Sequence, residues 1–192
     1  MAVREVLQIG HPLLSARAEE VDESQIGSAE VQAWVDDLVD TMRAANGAGI
    51  AANQIGIPYR LFVVEVQGDN PRYPYKPKIP LTVLINPEIK MLSDLTYEGN
   101  EGCLSVPGLR GVVDRHLEIE VSGFGRQGNW QHFEVRGYSA GTFQHECDHL
   151  DGVLFPHRVT DPRSFCSWSV FVEFQQQAFA DKVRALVETY GS

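Results

Sequence analysis

His145-Glu146-Cys147-Asp148-His149 is a His-Glu-x-x-His motif. On a helix, positions i and i+4 share one face, so both imidazoles can reach a single metal ion. The glutamate between them would stand beside that metal, where a carboxylate can accept and return a proton. A random ordering of this composition would produce roughly 0.014 such motifs, so a surface helix with two solvated histidines is the weaker reading. The chemistry suggested is metal-assisted hydrolysis.

Two histidines leave the site incomplete, because a catalytic metal needs a third protein ligand and an open position. Downstream the chain reads Leu150-Asp151-Gly152-Val153-Leu154-Phe155. The glycine of a metzincin extension is present, but Phe155 stands where its third histidine belongs and cannot ligate. Glu173, 24 residues past His149, could complete a thermolysin-like set, although a plain surface glutamate is the better account of it. Cys103, in Glu101-Gly102-Cys103-Leu104-Ser105, is the other candidate. A thiolate with two imidazoles suits Zn or Fe(II). A lone cysteine is more often a small buried apolar residue, but Gly102 and the Pro107-Gly108 turn argue for a special backbone here. A third stretch, Gly47-Ala48-Gly49-Ile50-Ala51-Ala52-Asn53-Gln54, loosely matches a dinucleotide fingerprint. A helix precedes it and a strand follows, the reverse of what that fingerprint needs. Its small residues better suit close approach of backbone to a ligand or metal.

The elements that must carry these residues can be read from periodicity. Val31, Trp34, Val35, Leu38, Val39 and Met42 make one apolar helical face, with Ser28 as cap and Asn46-Gly47 as stop. Residues 61–66 and 82–85 read as strands, and 67–80, with four prolines, as a loop. Residues 116–122 and 130–135 alternate and form a hairpin across a glycine-bearing turn. A second helix covers about Tyr138 to Leu150, ending at Gly152, and a third runs from Pro162 to about Glu188. This order predicts an α+β fold, with mostly antiparallel sheet packed around a central metal-binding helix, an N-terminal helix and a C-terminal helix. Residues 1–192 are expected to be a single catalytic domain, with 162–192 as a helical tail.

The 192 residues include 26 acidic against 16 basic side chains, a formal net charge of −10. Generic nucleic-acid or anionic-membrane binding needs the opposite balance. No apolar run approaches a spanning helix, and neither signal nor transit peptide is seen, so a cytoplasmic, bacterial-type location is expected. Three cysteines without a Cys-x-x-Cys pair fit a reducing compartment. Cys147 points away from the ligand face and reads as packed core, and Cys166, His11, His116, His132 and His157 as ordinary positions.

Taken together, Gly47–Gln54, Glu101–Ser105 and Gln144–His149, in that order, resemble the peptide deformylase family. The resemblance extends from about His11-Pro12 to Phe155 and includes Val83-Leu84-Ile85-Asn86-Pro87. It implies that Cys103, His145 and His149 hold one divalent metal ion with water at the fourth position. Glu146 would be the general acid/base, and Gln54 and the backbone N–H of Leu104 the oxyanion donors. Gly49 would offer backbone contact to substrate, Glu101 would be structural, and Arg115 its ion-pair partner. The implied reaction removes the N-formyl group from N-formylmethionyl nascent peptides and releases formate. Fe(II) is the implied native metal, with Zn, Ni or Co as alternatives.

Elementary chemistry agrees with those roles. A bound divalent metal lowers the pKa of water from 15.7 to about 7, and each well-aimed oxyanion donor is worth about 3 kcal/mol. Gly141 and Thr142, one turn before His145, are small enough to leave room for a substrate side chain; with Ile50 they are the expected methionine pocket. Asp148 is read equally as a supporting acid behind the ligands or as a solvated one. Two rivals are a zincin-type endopeptidase using Glu173, and a non-catalytic relative that binds formyl-peptides or a structural metal. Transient ribosome contact would follow from the substrate, although Lys182 and Arg184 against Glu173, Asp181 and Glu188 make no basic tail for it.

Overall fold

The computed structural model describes residues 2–68 and 70–191. Helix α1, Ala29–Ala44, begins where Ser28 Oγ accepts the Val31 N–H. It ends in a Schellman arrangement: Gly47 N–H donates to Met42 O and Asn46 N–H to Arg43 O. The left-handed residue of that cap is Asn46, at φ 51°, rather than the glycine beside it. Asparagine tolerates this conformation better than most side chains do.

The strands are β1 Gly49–Ala51, β2 Leu61–Val66, β3 Ile79–Met91, β4 Thr96–Cys103, β5 Val106–His116, β6 Glu118–Phe124, β7 Trp130–Arg136 and β8 Cys166–Ser167. They form two antiparallel sheets, ordered β1-β2-β3-β6-β7 and β4-β5-β8. The expected strand 82–85 is thus the middle of a much longer one. β3 passes through Pro87 because its pairing with β6 shifts between Ile85 and Glu88, with Asn86 at φ 51°. Such a bulge tolerates a residue without an N–H. The expected hairpin of 116–122 and 130–135 is β6–β7, although His116 itself closes β5.

Alternation along β2 and β3 separates two apolar faces. Leu61, Val63, Val83 and Ile85 pack on Val31, Val35, Leu38 and Met42 of α1. Phe62, Val64 and Leu84, with Ile119, Val121 and Val135, pack on Ala140, Phe143 and Leu150 of helix α2, Gly137–Leu150. All of α2 is buried except His145 and Cys147, and it touches β1, β2, β3, β5, β6 and β7. Its middle and its C-terminal end are tied down by side chains. Gln144 exchanges two hydrogen bonds with the backbone of His116. At the C-terminus Asn53 Nδ2 donates to His149 O, and Arg60 to Leu150 O, satisfying carbonyls that a helix end leaves open.

The C-terminal region departs from the expected single helix. Residues 162–164 form a 3₁₀ turn and β8 joins the second sheet. Helix α3, Trp168–Val170, runs through a π segment, Phe171–Gln175, into helix α4, Gln176–Tyr190. Phe171, Phe179 and Val183 pack on Tyr97, Leu117 and Tyr138. Among the described residues no helix is long and apolar enough to cross a membrane.

Candidate metal centre and substrate pocket

Two chain segments meet at one point. Helix α2 carries His145 and His149 on one face. β4 ends at Cys103, where a register shift between Gly102 and Cys103 re-aims the side chain toward the helix. The candidate ligand atoms of Cys103, His145 and His149 all lie within 4.8 Å of one another. Cys103 Sγ stands 3.2 Å from His149 Nε2. Burial alone would raise the Cys103 thiol, but the His149 and His145 rings beside it hold it well below the ordinary thiol value. A thiolate and two imidazoles are a coherent donor set for a borderline divalent cation.

The ligands are held from behind. His145 Nδ1 lies 2.8 Å from Glu101 Oε2, so its Nε2 is left for a metal. Glu101 is gripped by Arg115 through contacts of 2.6 Å and 3.0 Å. Arg115 also reaches Asp148 at 2.6 Å, and Asp148 is held by Arg158. Burial would raise the Glu101 carboxyl, yet Arg115 first and then His145 keep it far below the usual carboxylate range. Asp148 is therefore tied to the ligand support rather than solvated.

Glu146 and Gln54 flank the ligand cluster. Burial pushes Glu146 above the ordinary carboxylate range, against the pull of both histidines, and its Oε2 has no hydrogen-bond partner. Gln54 Oε1 accepts the Ala51 N–H at 2.8 Å, which turns Nε2 toward Cys103 Sγ at 3.5 Å and Ser105 Oγ at 3.0 Å. Gly49 lies so close to Glu146 that an added Cβ would stand 2.4 Å from Oε1. Gly49, Gln54, Leu104, Gly141, Thr142 and Glu146 line one pocket with Cys103 and His145.

Ile50 is the exception among the expected residues. Its side chain is fully buried in the α1 core and faces away from the pocket, because β1 alternates and Gly49 takes the inward position. Thr142 is present but engaged, its Oγ1 accepting from Lys76 Nζ at 2.7 Å. Above Gly141 the Tyr97 hydroxyl takes the space a Cβ would need. Glu173 is exposed on the π segment, away from the cluster, so the thermolysin-like set is not assembled. Sequence reasoning missed Lys76, Arg110 and Tyr97 as pocket residues. The one local hint was a lone lysine between Pro74 and Pro77, a stiffened approach to an otherwise unremarkable loop.

Comparison with known proteins agrees with this geometry. The polypeptide deformylase family model matches residues 3–164. Peptide deformylase 1 of Prochlorococcus marinus is 45% identical over 165 residues, covering 86% of this chain and 85% of that protein. Peptide deformylase 2 of Nostoc sp. is 48% identical over 154 residues, covering 80% and 84%. Among solved structures, the Met-Ala-Ser-bound class I type b peptide deformylase of Acinetobacter baumannii superposes with a TM-score of 0.79 at 37% identity, covering 82% and 99%. The Synechococcus elongatus peptide deformylase in complex with actinonin gives 0.74 at 31%, covering 94% and 88%. The family-model match over most of the chain and these identities, on a fold that brings Cys103, His145 and His149 together, place the chain in the polypeptide deformylase family, metal-dependent hydrolases that remove the N-formyl group from newly made polypeptides.

Proposed function

We propose that Cys103, His145 and His149 hold one divalent cation, Fe(II) in the native protein, with Zn, Ni or Co able to replace it. When bound, the cation supplies a Lewis acid and makes water a competent nucleophile near neutral pH. Glu146 takes the proton from the attacking water and returns it to the departing amine nitrogen. Gln54 Nε2 and the Leu104 N–H donate to the formyl oxygen as it gains charge, and the Gly49 backbone aligns the peptide. The observation that carries this reading is the pairing of an unpartnered Glu146 carboxylate oxygen with a Gln54 amide oriented by Ala51, on a pocket that Cys103 and His145 also line.

The substrate is an N-formylmethionyl nascent peptide, consistent with the Met-Ala-Ser held by the Acinetobacter baumannii relative. That substrate implies a cytoplasmic location and transient contact with the ribosome. The chain works as one catalytic domain, 1–192, organised around α2, with 162–192 as its tail. The test is formate release from formyl-Met-Ala-Ser by protein prepared without oxygen, beside Glu146→Ala and Cys103→Ala. Release by the parent that both variants lose supports the reading. Full activity in Glu146→Ala, or one tightly held metal per chain in Cys103→Ala, overturns it.

A further inference from the structure

Two segments with no assigned role meet over the pocket. The proline-rich loop before β3 and the chain beyond residue 164, where the family match ends, interlock through aromatic rings. Tyr75 packs edge-on against Tyr138, Phe171 and Phe179, and Tyr73 against Trp168. This joint delivers two cations to the wall beside the metal ligands. Lys76 Nζ sits on Thr142 Oγ1, 5.3 Å from the Tyr73 ring centre and 5.4 Å from that of Tyr138. Arg110 is 1% exposed, with its guanidinium over Phe171 at 4.1 Å and Trp168 at 4.8 Å.

Neither cation has a carboxylate partner of its own among the described residues. Arg110 donates to neutral groups, the Asn100 side chain and carbonyl and the Tyr75 hydroxyl, and its Nη1 donates to nothing. The carboxylates nearest Lys76 are already committed. Glu101 is shared by Arg115 and His145, and Glu146 is the proton carrier in the reading above. Arg110 is buried and Lys76 half-buried; a cation drawn out of water without a counter-charge is costly, and proteins place such groups where an anion completes them.

From this geometry we infer that the side-chain pocket accepts a carboxylate, so that the substrate class includes N-formyl peptides whose first residue is acidic, with Lys76 and Arg110 as its counter-charges. The inference rests on the deformylase reading and concerns only what the pocket selects. Size does not decide the matter. The free space of the whole pocket, catalytic wall included, is about 50 Å³, against roughly 10–15 Å³ for one water on a like measure, and does not discriminate a thioether from a carboxylate end. Charge decides: a thioether offers the Lys76 ammonium, held only by the neutral Thr142 hydroxyl, no counter-charge, whereas a carboxylate offers one, with the Arg110 guanidinium in the same wall adding to the attraction.

The experiment compares formyl-Met-Ala-Ser, formyl-Gln-Ala-Ser and formyl-Glu-Ala-Ser, whose first side chains are close in length. The readout is kcat/KM for formate release by the metal-loaded parent and by Lys76→Met, each checked for metal content and thermal unfolding. The parent is expected to turn over the Glu peptide at least tenfold better than its Gln isostere, and at least as well as the Met peptide. Lys76→Met should lower the Glu-to-Met ratio about 100-fold. A parent that prefers Gln to Glu, or a ratio unchanged in Lys76→Met, overturns the inference. Absence of formate from every peptide would defeat the deformylase reading itself. Calorimetric binding of Glu-Ala-Ser against Met-Ala-Ser then decides the pocket separately, tighter binding of the Glu peptide supporting it and tighter binding of the Met peptide refuting it.

Discussion

Replacing Gly49 by alanine would put a methyl group where the Glu146 carboxyl now sits. The added Cβ would lie 2.4 Å from Oε1, 2.7 Å from Cδ and 2.9 Å from Cγ, whereas ordinary contact begins at 3.4 Å. The carboxylate must therefore move by about 1 Å. It can do so cheaply for the fold, since Glu146 Oε2 has no partner to lose and Gly49 sits in strand conformation rather than at positive φ. Stability should change by less than about 1 kcal/mol, as for other substitutions that break no packed contact. Activity should not be spared, because a misplacement of about 1 Å can cost roughly 100-fold, equivalent to about 2.7 kcal/mol of barrier. The assay is formate release, with metal content and thermal unfolding measured on the same samples. A double-mutant cycle with Glu146→Gln isolates the cause. If Gly49→Ala acts through the Glu146 carboxylate, the double variant will be no slower than Glu146→Gln alone. Unchanged kcat/KM in the metal-loaded Gly49→Ala protein would refute the argument, as would fully additive losses in the cycle.

Further outcomes follow from the same contacts. Arg115→Ala leaves Glu101 and Asp148 buried without their shared cation; denaturant unfolding should show a loss of about 3–5 kcal/mol, and metal titration an affinity weakened about 10- to 100-fold. Lys76 is pushed down to about 8, first by burial, with Glu101 and Glu146 pulling it up and Arg110 and Arg115 pushing it down. It is charged below that pH, so any preference for formyl-Glu over formyl-Met peptides should be full near pH 7 and fade as pH rises through about 8, while in Lys76→Met the ratio should stay flat. Burial would raise the Asp37 carboxyl, but bonds from Arg4 and the Ala2 N–H hold it below its usual value. Its stabilisation is complete above about pH 4 and is lost as pH falls through the lowered value, so Asp37→Ala should cost about 1.5–3 kcal/mol near neutrality and less in acid. Gly152→Ala introduces a side chain at φ 73° and 2.8 Å from the Ser15 backbone; a loss of at least roughly 1–2 kcal/mol in thermal unfolding is expected.

The helical face of α1, the β6–β7 hairpin and the ligand pair on α2 were legible because each depends on neighbours in the chain. Residues that share a face three or four apart, or two apart, declare it by composition alone. Cys103 and Gln54 could be singled out from local glycine-rich settings and the family resemblance. Strand β4 could not: Thr96-Tyr97-Glu98-Gly99-Asn100-Glu101-Gly102 shows no apolar alternation, because its inward positions serve the site rather than the core. The broken C-terminal helix was hidden for a related reason, since β8 exists only where β5 offers an edge.

What the sequence by itself determined is the chemistry: two imidazoles one turn apart, a glutamate beside them, and a cysteine set between a glycine and a Pro-Gly turn. What only the tertiary structure decided is the setting of that chemistry. Ile50 went to the core because strand pleating put Gly49 inward. Lys76 and Arg110, 34 positions apart, reached one pocket because Tyr75, Trp168 and Phe171 bury one another there. Packing among distant aromatic side chains leaves no periodic trace along the chain, so the charge that lines the pocket becomes visible only when the loop and the C-terminal segment are folded together.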